Sequence, residues 1–107
     1  MAEEVQEKEE KILDEKEFLV LAEKLRQKLV ESKKLTGEGK KCSITVLDAI
    51  VNSVKVHGAR QHGLTKEMLK VAMTVYGKLA EDKRRSEDER AVLKALVFMT
   101  IKAIQQN

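Results

Sequence analysis

The sequence predicts an all-α fold, and three observations support that class. The chain has 107 residues, enough for one domain with one hydrophobic core. It has no proline, and 36% of its residues are charged, with many of the lysines and glutamates that favour helices. Apolar residues also recur at helical spacing in several segments. We therefore predict that residues 1–107 form a single domain, a small four-helix bundle with a long first helix and an antiparallel C-terminal helix hairpin.

The most apolar run is AVLKALVFMTIKAI, residues 91–104. In a helix, its apolar side chains form two neighbouring stripes that together cover about 200° of the circumference. These stripes consist of Val92, Leu96, Met99 and Ala103, and of Leu93, Val97, Ile101 and Ile104. The run is too short to span a bilayer, which takes about 20 apolar residues. It is predicted to be the central core helix, opened by the capping box Ser86-x-x-Glu89.

Residues 3–35 are predicted to form one long helix or two collinear helices. The apolar residues here fall on two stripes, with Phe18, Leu21, Ala22, Leu25 and Leu29 on one and Val5, Ile12, Leu19 and Val30 on the other. A kink near Asp14–Glu17 explains this change of stripe, as does a second surface on one straight helix. Residues 1–10 contain a single large apolar anchor, Val5, which favours fraying.

Residues 33–43 and 58–64 are predicted loops, because glycines interrupt the helical pattern in both. Ser43 is predicted to cap the helix that follows, over residues 44–57. That helix is rich in β-branched residues, so a strand is the competing interpretation. Strict alternation of apolar and polar residues fails there, and the helical period fits better.

The third helix is predicted over residues 66–83, with Thr65 as its N-cap. Beside its main apolar stripe it carries a second stripe, formed by Leu69, Met73 and Tyr76. An uncovered stripe of methionine and tyrosine suits a groove for a partner helix. Cover by the same chain and a homodimer contact are the alternative interpretations.

The net charge of +3 is unevenly distributed. Residues 1–17, the acidic arm, carry a net charge of −5, whereas residues 18–107 carry +8. Such an arm can fold onto the basic body or compete with an anionic partner for it. The first predicted loop contains four lysines that form a candidate anion-binding site, Lys33, Lys34, Lys40 and Lys41. The alternative is a solvated loop that aids solubility.

The outer ridge of the last helix contains Lys94, Phe98 and Lys102, each four residues apart. Phe98 points away from the core stripes and lies between two cations, so the ridge is a candidate contact for an anionic partner, including nucleic acid. The interpretation that we favour is that the acidic first helix covers Phe98 through Ile12 or Leu19. Exposed large aromatic side chains are uncommon in monomers.

No motif indicates an enzyme, a cofactor site or a metal site. The segment GEGKK lacks the first glycine of a phosphate-binding loop, and Lys41 stands where serine or threonine is required. Cys42, His57 and His62 match half of a zinc-binding spacing, but the second cysteine is missing. Both histidines fall in one short segment, so no serine–histidine–acid arrangement is predicted.

These observations predict a non-enzymatic protein-interaction module, a compact helical bundle that binds a partner helix or self-associates. A small basic nucleic-acid-binding regulator is the alternative. The single cysteine and the absence of an apolar run in the first residues predict a cytoplasmic protein without a signal peptide or membrane span.

Overall fold

The computed structural model describes residues 13–57 and 63–106. These residues form four helices, α1 (Glu15–Glu31), α2 (Gly37–Lys55), α3 (Lys66–Ala80) and α4 (Glu87–Gln106). No strand occurs within these two ranges, so the all-α prediction is confirmed and the strand alternative for residues 44–57 is wrong.

The four helices pack as a bundle in which α2 contacts all the others. Across the described part of the chain, α1 and α3 do not contact each other, so they occupy opposite corners. The most extensive contact lies between α3 and α4, which are joined by residues 81–86. This short connection reverses the chain and produces the predicted C-terminal hairpin.

Helix α1 begins at Glu15, near the point where the apolar residues of the sequence shift from one stripe to the other. The side chain of Asp14 accepts a hydrogen bond from the main-chain nitrogen of Glu17 at 2.7 Å, which makes Asp14 the N-cap. The change of stripe near Asp14–Glu17 therefore coincides with a helix start. Residues 3–12 of the predicted first helix lie outside the described residues.

The predicted loop over residues 33–43 is too long, because α2 already begins at Gly37. Gly37 has a φ of 64°, in the left-handed region that favours glycine, and Thr36 is the N-cap residue. Ser43 is therefore not a cap. It is fully buried inside α2, where its hydroxyl group donates to the main-chain oxygen of Lys40 at 3.0 Å. The two glycines of this segment start a helix rather than interrupt one.

The predicted N-caps of the last two helices are confirmed. The hydroxyl oxygen of Thr65 accepts from the main-chain nitrogen of Met68 at 3.1 Å. Ser86 accepts from the main-chain nitrogen of Glu89, also at 3.1 Å. Helix α3 ends at Ala80, three residues before the predicted end at Lys83.

One hydrophobic core joins all four helices. Its buried members are Phe18, Ala22, Leu25 and Leu29 of α1, Val46, Leu47 and Ile50 of α2, Leu69, Ala72, Tyr76 and Ala80 of α3, and Val92, Leu93 and Leu96 of α4. The predicted central helix thus lies deep, with Leu96 fully buried. Thr100 is also fully buried, and its hydroxyl group donates to the main-chain oxygen of Leu96 at 2.6 Å.

Candidate interaction face on the last helix

Helix α4 turns one face away from the core, and that face is apolar at its centre. Phe98 is 62% exposed and Ile101 is 37% exposed, and Lys94 and Lys102 are exposed beside them. Residues three and four positions apart are neighbours on a helix surface, so the four side chains form one patch. We call these four residues the α4 face. The ridge predicted from the sequence is its larger part.

Lys102 is positioned against the aromatic ring of Phe98. Its Nζ atom lies 5.4 Å from the ring centroid, within the range of a cation–π contact. Lys94 lies one turn before Phe98, in the opposite direction along the helix from Lys102. Lys102 thus contacts the ring, Lys94 lies on the same side of the helix one turn away, and most of the ring surface stays exposed to solvent.

The cover that the sequence predicted for Phe98 is not provided by Leu19. Leu19 is half-buried and lines a groove between α1 and α2, together with Val51 and Lys55. Cover by Leu19 is therefore wrong, because this residue points towards α2. The other predicted covering residue, Ile12, lies outside the described residues.

The second stripe on α3 belongs to the core. Leu69 and Tyr76 are fully buried, and Met73 is half-buried. The hydroxyl group of Tyr76 donates a hydrogen bond to the main-chain oxygen of Ser43 in α2. The prediction of an uncovered groove on this stripe is wrong for Leu69 and Tyr76, because α3 packs against both α2 and α4 and needs two apolar sides.

The four lysines of the candidate anion-binding site do not share one loop. Lys33 and Lys34 are exposed between α1 and α2, whereas Lys40 and Lys41 are in the first turns of α2. The Nζ atom of Lys40 donates to the main-chain oxygen of Ser32 at 3.1 Å, so this lysine satisfies a carbonyl group at the end of α1. Anion binding by these lysines stays a prediction.

An ionic contact centred on the nearly buried Glu89 joins α1 to α4. Glu89, whose side chain is only 11% exposed, accepts from Lys28 at 3.1 Å and from Arg85 at 2.7 Å. The sequence had identified Glu89 only as part of a capping box. Its partner Lys28 is too distant in sequence for a local pattern to reveal the pair.

A second ion pair, more exposed, joins α1 to α2. Arg26 contacts Asp48 through two hydrogen bonds of 2.6 and 3.2 Å. The pair lies at the edge of the groove of about 400 Å³ that Leu19 lines. Both charges are satisfied by each other, so this contact is structural.

The residues weighed for metal binding do not come together. Across residues 13–57 and 63–106, no group of three or more histidine, cysteine, aspartate or glutamate side chains is placed to hold a metal ion. Cys42 is buried, and burial raises the pKa of its thiol. His57 is exposed, and His62 lies outside the described residues.

None of the helices in the described ranges is long and apolar enough to cross a membrane. Comparisons of the chain with protein-family models, with curated proteins and with solved structures found no match.

Proposed function

We propose that this chain is a non-enzymatic protein-interaction module whose α4 face binds an acidic amphipathic helix of a partner protein. The observation that carries the proposal is the exposure of Phe98 and Ile101 between two lysines. Exposed apolar anchors three residues apart match the spacing at which helices recognise each other.

The α4 face is also rigid enough to act as a binding surface. Val92, Leu93 and Leu96, on the other side of the same helix, are fully buried in the core. A partner therefore meets side chains on a fixed backbone, and less conformational entropy is lost on binding. Each Å² of apolar surface removed from water contributes about 25 cal/mol, so burying an aromatic ring supplies much of the affinity.

The two lysines of the α4 face determine which sign of charge the partner should carry. Lys94 and Lys102 flank the apolar centre, so glutamates or aspartates at the edge of a bound helix find opposite charges. Two copies of this chain that paired antiparallel through the α4 face would bring Lys94 of one close to Lys102 of the other. Like-charge repulsion therefore favours a different, acidic partner over self-association through this face.

Nucleic acid binding is the second candidate, because an aromatic ring between two cations can also hold a base and its phosphates. The chain has three aromatic residues in total, Phe18, Tyr76 and Phe98. Phe18 and Tyr76 are buried in the core, which leaves one ring for stacking. A single stacking position supports a protein partner better than an extended single strand.

The test uses synthetic probes of stated chemistry. One is a labelled amphipathic helix with leucine on one face and glutamate on the other, the second has lysine in place of glutamate, and the third is single-stranded DNA. Fluorescence anisotropy should show binding of the acidic helix in preference to the lysine helix, with a moderate loss of affinity as salt rises, because salt screens the two lysines but not the apolar centre. Preference for DNA, with affinity that falls steeply as salt rises, would support the nucleic-acid alternative instead.

A matched pair of variants locates the site. Phe98→Ser should weaken binding of the acidic helix about tenfold or more, as for a central apolar anchor. Val56→Ser is the control, because Val56 is similarly exposed, at 56%, but lies at the end of α2. Equal affinity of wild type and Phe98→Ser for the acidic helix would contradict the proposal.

A further inference from the structure

We propose that residues 1–12 of this chain, the N-terminal segment, bind the α4 face of the same molecule and compete there with the partner. This inference rests on the proposed function, because it concerns regulation of the same face. The proposed occupant of the α4 face is a segment of the same polypeptide chain.

Charge complementarity is the first argument. The N-terminal segment contains five glutamates and two lysines, a net charge of −3. The α4 face presents Lys94 and Lys102 around its apolar centre. The large apolar residues of the segment are Met1, Val5 and Ile12, and Val5, nine residues before Asp14, is far enough along the chain to reach Phe98. Its composition is therefore that of the acidic, partly apolar ligand inferred for this face.

Reach is the second argument. Asp14 and Asp88 line the same surface depression, so the chain enters α1 beside the first turn of α4. Phe98 lies ten residues after Asp88, which is about 15 Å along a helix. Twelve residues span about 18 Å as a helix and about 40 Å when extended. The N-terminal segment is thus long enough to reach the whole α4 face.

Because the N-terminal segment and the α4 face belong to the same chain, even a weak contact between them can be well populated and still be reversible. A short tether gives an effective concentration in the millimolar range, so a weak ligand can occupy its site in the same molecule. Exposed ion pairs contribute only about 0–1 kcal/mol each, so charge alone would not hold the segment. A partner with more apolar contact area would therefore displace it.

The absence of tryptophan from the chain provides a clean reporter. Phe98→Trp places a single tryptophan in the α4 face of the full-length protein. A second protein carries the same change together with glutamine at the five acidic positions Glu3, Glu4, Glu7, Glu9 and Glu10. We expect acrylamide to quench the tryptophan faster, and its emission to shift to the red, in the glutamine variant. Val56→Trp in the same two backgrounds should show no difference.

Titration with the acidic synthetic helix separates this inference from the proposed function. Occupancy of the face by the N-terminal segment in about 90% of molecules would lower the apparent affinity about tenfold, and the glutamine variant should recover it. Equal quenching in both backgrounds, with equal affinity for the synthetic helix, would overturn the inference and leave the proposed function standing. Failure of the helix to bind either protein would overturn the proposed function, while the quenching still decides the inference.

Protein concentration is the remaining variable. Occupancy within one molecule is independent of concentration, whereas exchange of the segment onto a second copy increases with it. A quenching difference that appears only at high protein concentration would therefore contradict binding within the same molecule.

Discussion

The hydroxyl group of Tyr76 donates a hydrogen bond to the main-chain oxygen of Ser43, so the middle of α3 is bound to α2 inside the core. Both residues are fully buried. The hydroxyl group of Ser43 is satisfied separately, by the main-chain oxygen of Lys40. The polar atoms of the pair are thus paired away from water, as buried polar groups must be.

Removing this hydrogen bond should have a small but measurable effect. Tyr76→Phe keeps the ring in the core and deletes only the donor, so the free energy of unfolding should fall by about 1 kcal/mol. Urea unfolding followed by circular dichroism measures the change. A loss comparable to that of a large-to-small core substitution would show that the hydroxyl group does more than bridge α2 and α3.

The same residue predicts a pH dependence. Burial, and secondarily the negative charge of Asp48, raises the pKa of Tyr76 far above its usual range. The folded protein therefore keeps this proton when an unfolded tyrosine would lose it. The stabilisation is complete below about pH 10 and falls above it by up to about 1.4 kcal/mol per pH unit. Comparing wild type with Tyr76→Phe between pH 9 and 11 isolates this effect from lysine titration, and parallel pH profiles would contradict it.

Helix α4 offers a direct contrast between its two sides. Leu96→Ala removes a fully buried side chain and should cost about 2–5 kcal/mol of unfolding free energy. Phe98→Ala, half a turn away on the exposed side, should cost much less, because its ring is mostly in solvent already. Thermal or urea unfolding of the two variants tests this order, and similar losses would mean that the helix is rotated from its assigned orientation.

The two inter-helix ion pairs should differ in their contribution to stability. Glu89→Gln removes a charge that is 11% exposed and serves both Lys28 and Arg85, so the loss should be about 1–3 kcal/mol. Asp48→Asn is the control, because the Asp48 side chain is 48% exposed and its pair with Arg26 is screened by water and salt. Urea unfolding should give a clearly lower free energy of unfolding for Glu89→Gln than for Asp48→Asn. A larger loss of stability for Asp48→Asn would contradict this account.

Local sequence patterns were sufficient for the fold class and for most of the core. Thr65 and Ser86 were predicted as N-caps because a cap depends on residues only three positions away. Leu96 was assigned to the core from helical spacing alone. The prediction of Ser43 as an N-cap was wrong, because several residues near Ser43 could start a helix and the helix begins earlier, at Gly37. Its burial depends on Tyr76, more than thirty residues further along the chain.

The surface was predicted less well, for a related reason. Whether a second apolar stripe is covered depends on how many helices surround it, and a local pattern does not contain that number. Leu69 and Tyr76 were expected at a partner groove but are buried, because α3 lies between α2 and α4. Ile101 was assigned to a core stripe but is partly exposed beside Phe98. Phe98 was correctly oriented away from the core. Of the two residues expected to cover it, Leu19 lies in the groove between α1 and α2 instead, and Ile12 lies outside the described residues.

The central claim is that the α4 face selects an acidic helix through Lys94 and Lys102. The most direct measurement is the affinity of the Lys94→Glu/Lys102→Glu double variant for the two synthetic helices, the acidic and the basic. We expect the preference to invert, with the basic helix bound more tightly than the acidic helix, because the apolar centre is unchanged and the flanking charges are reversed. A variant that merely unfolded would bind neither helix and would lose its circular dichroism signal. Retained binding of the acidic helix at wild-type affinity by the folded double variant would contradict the account.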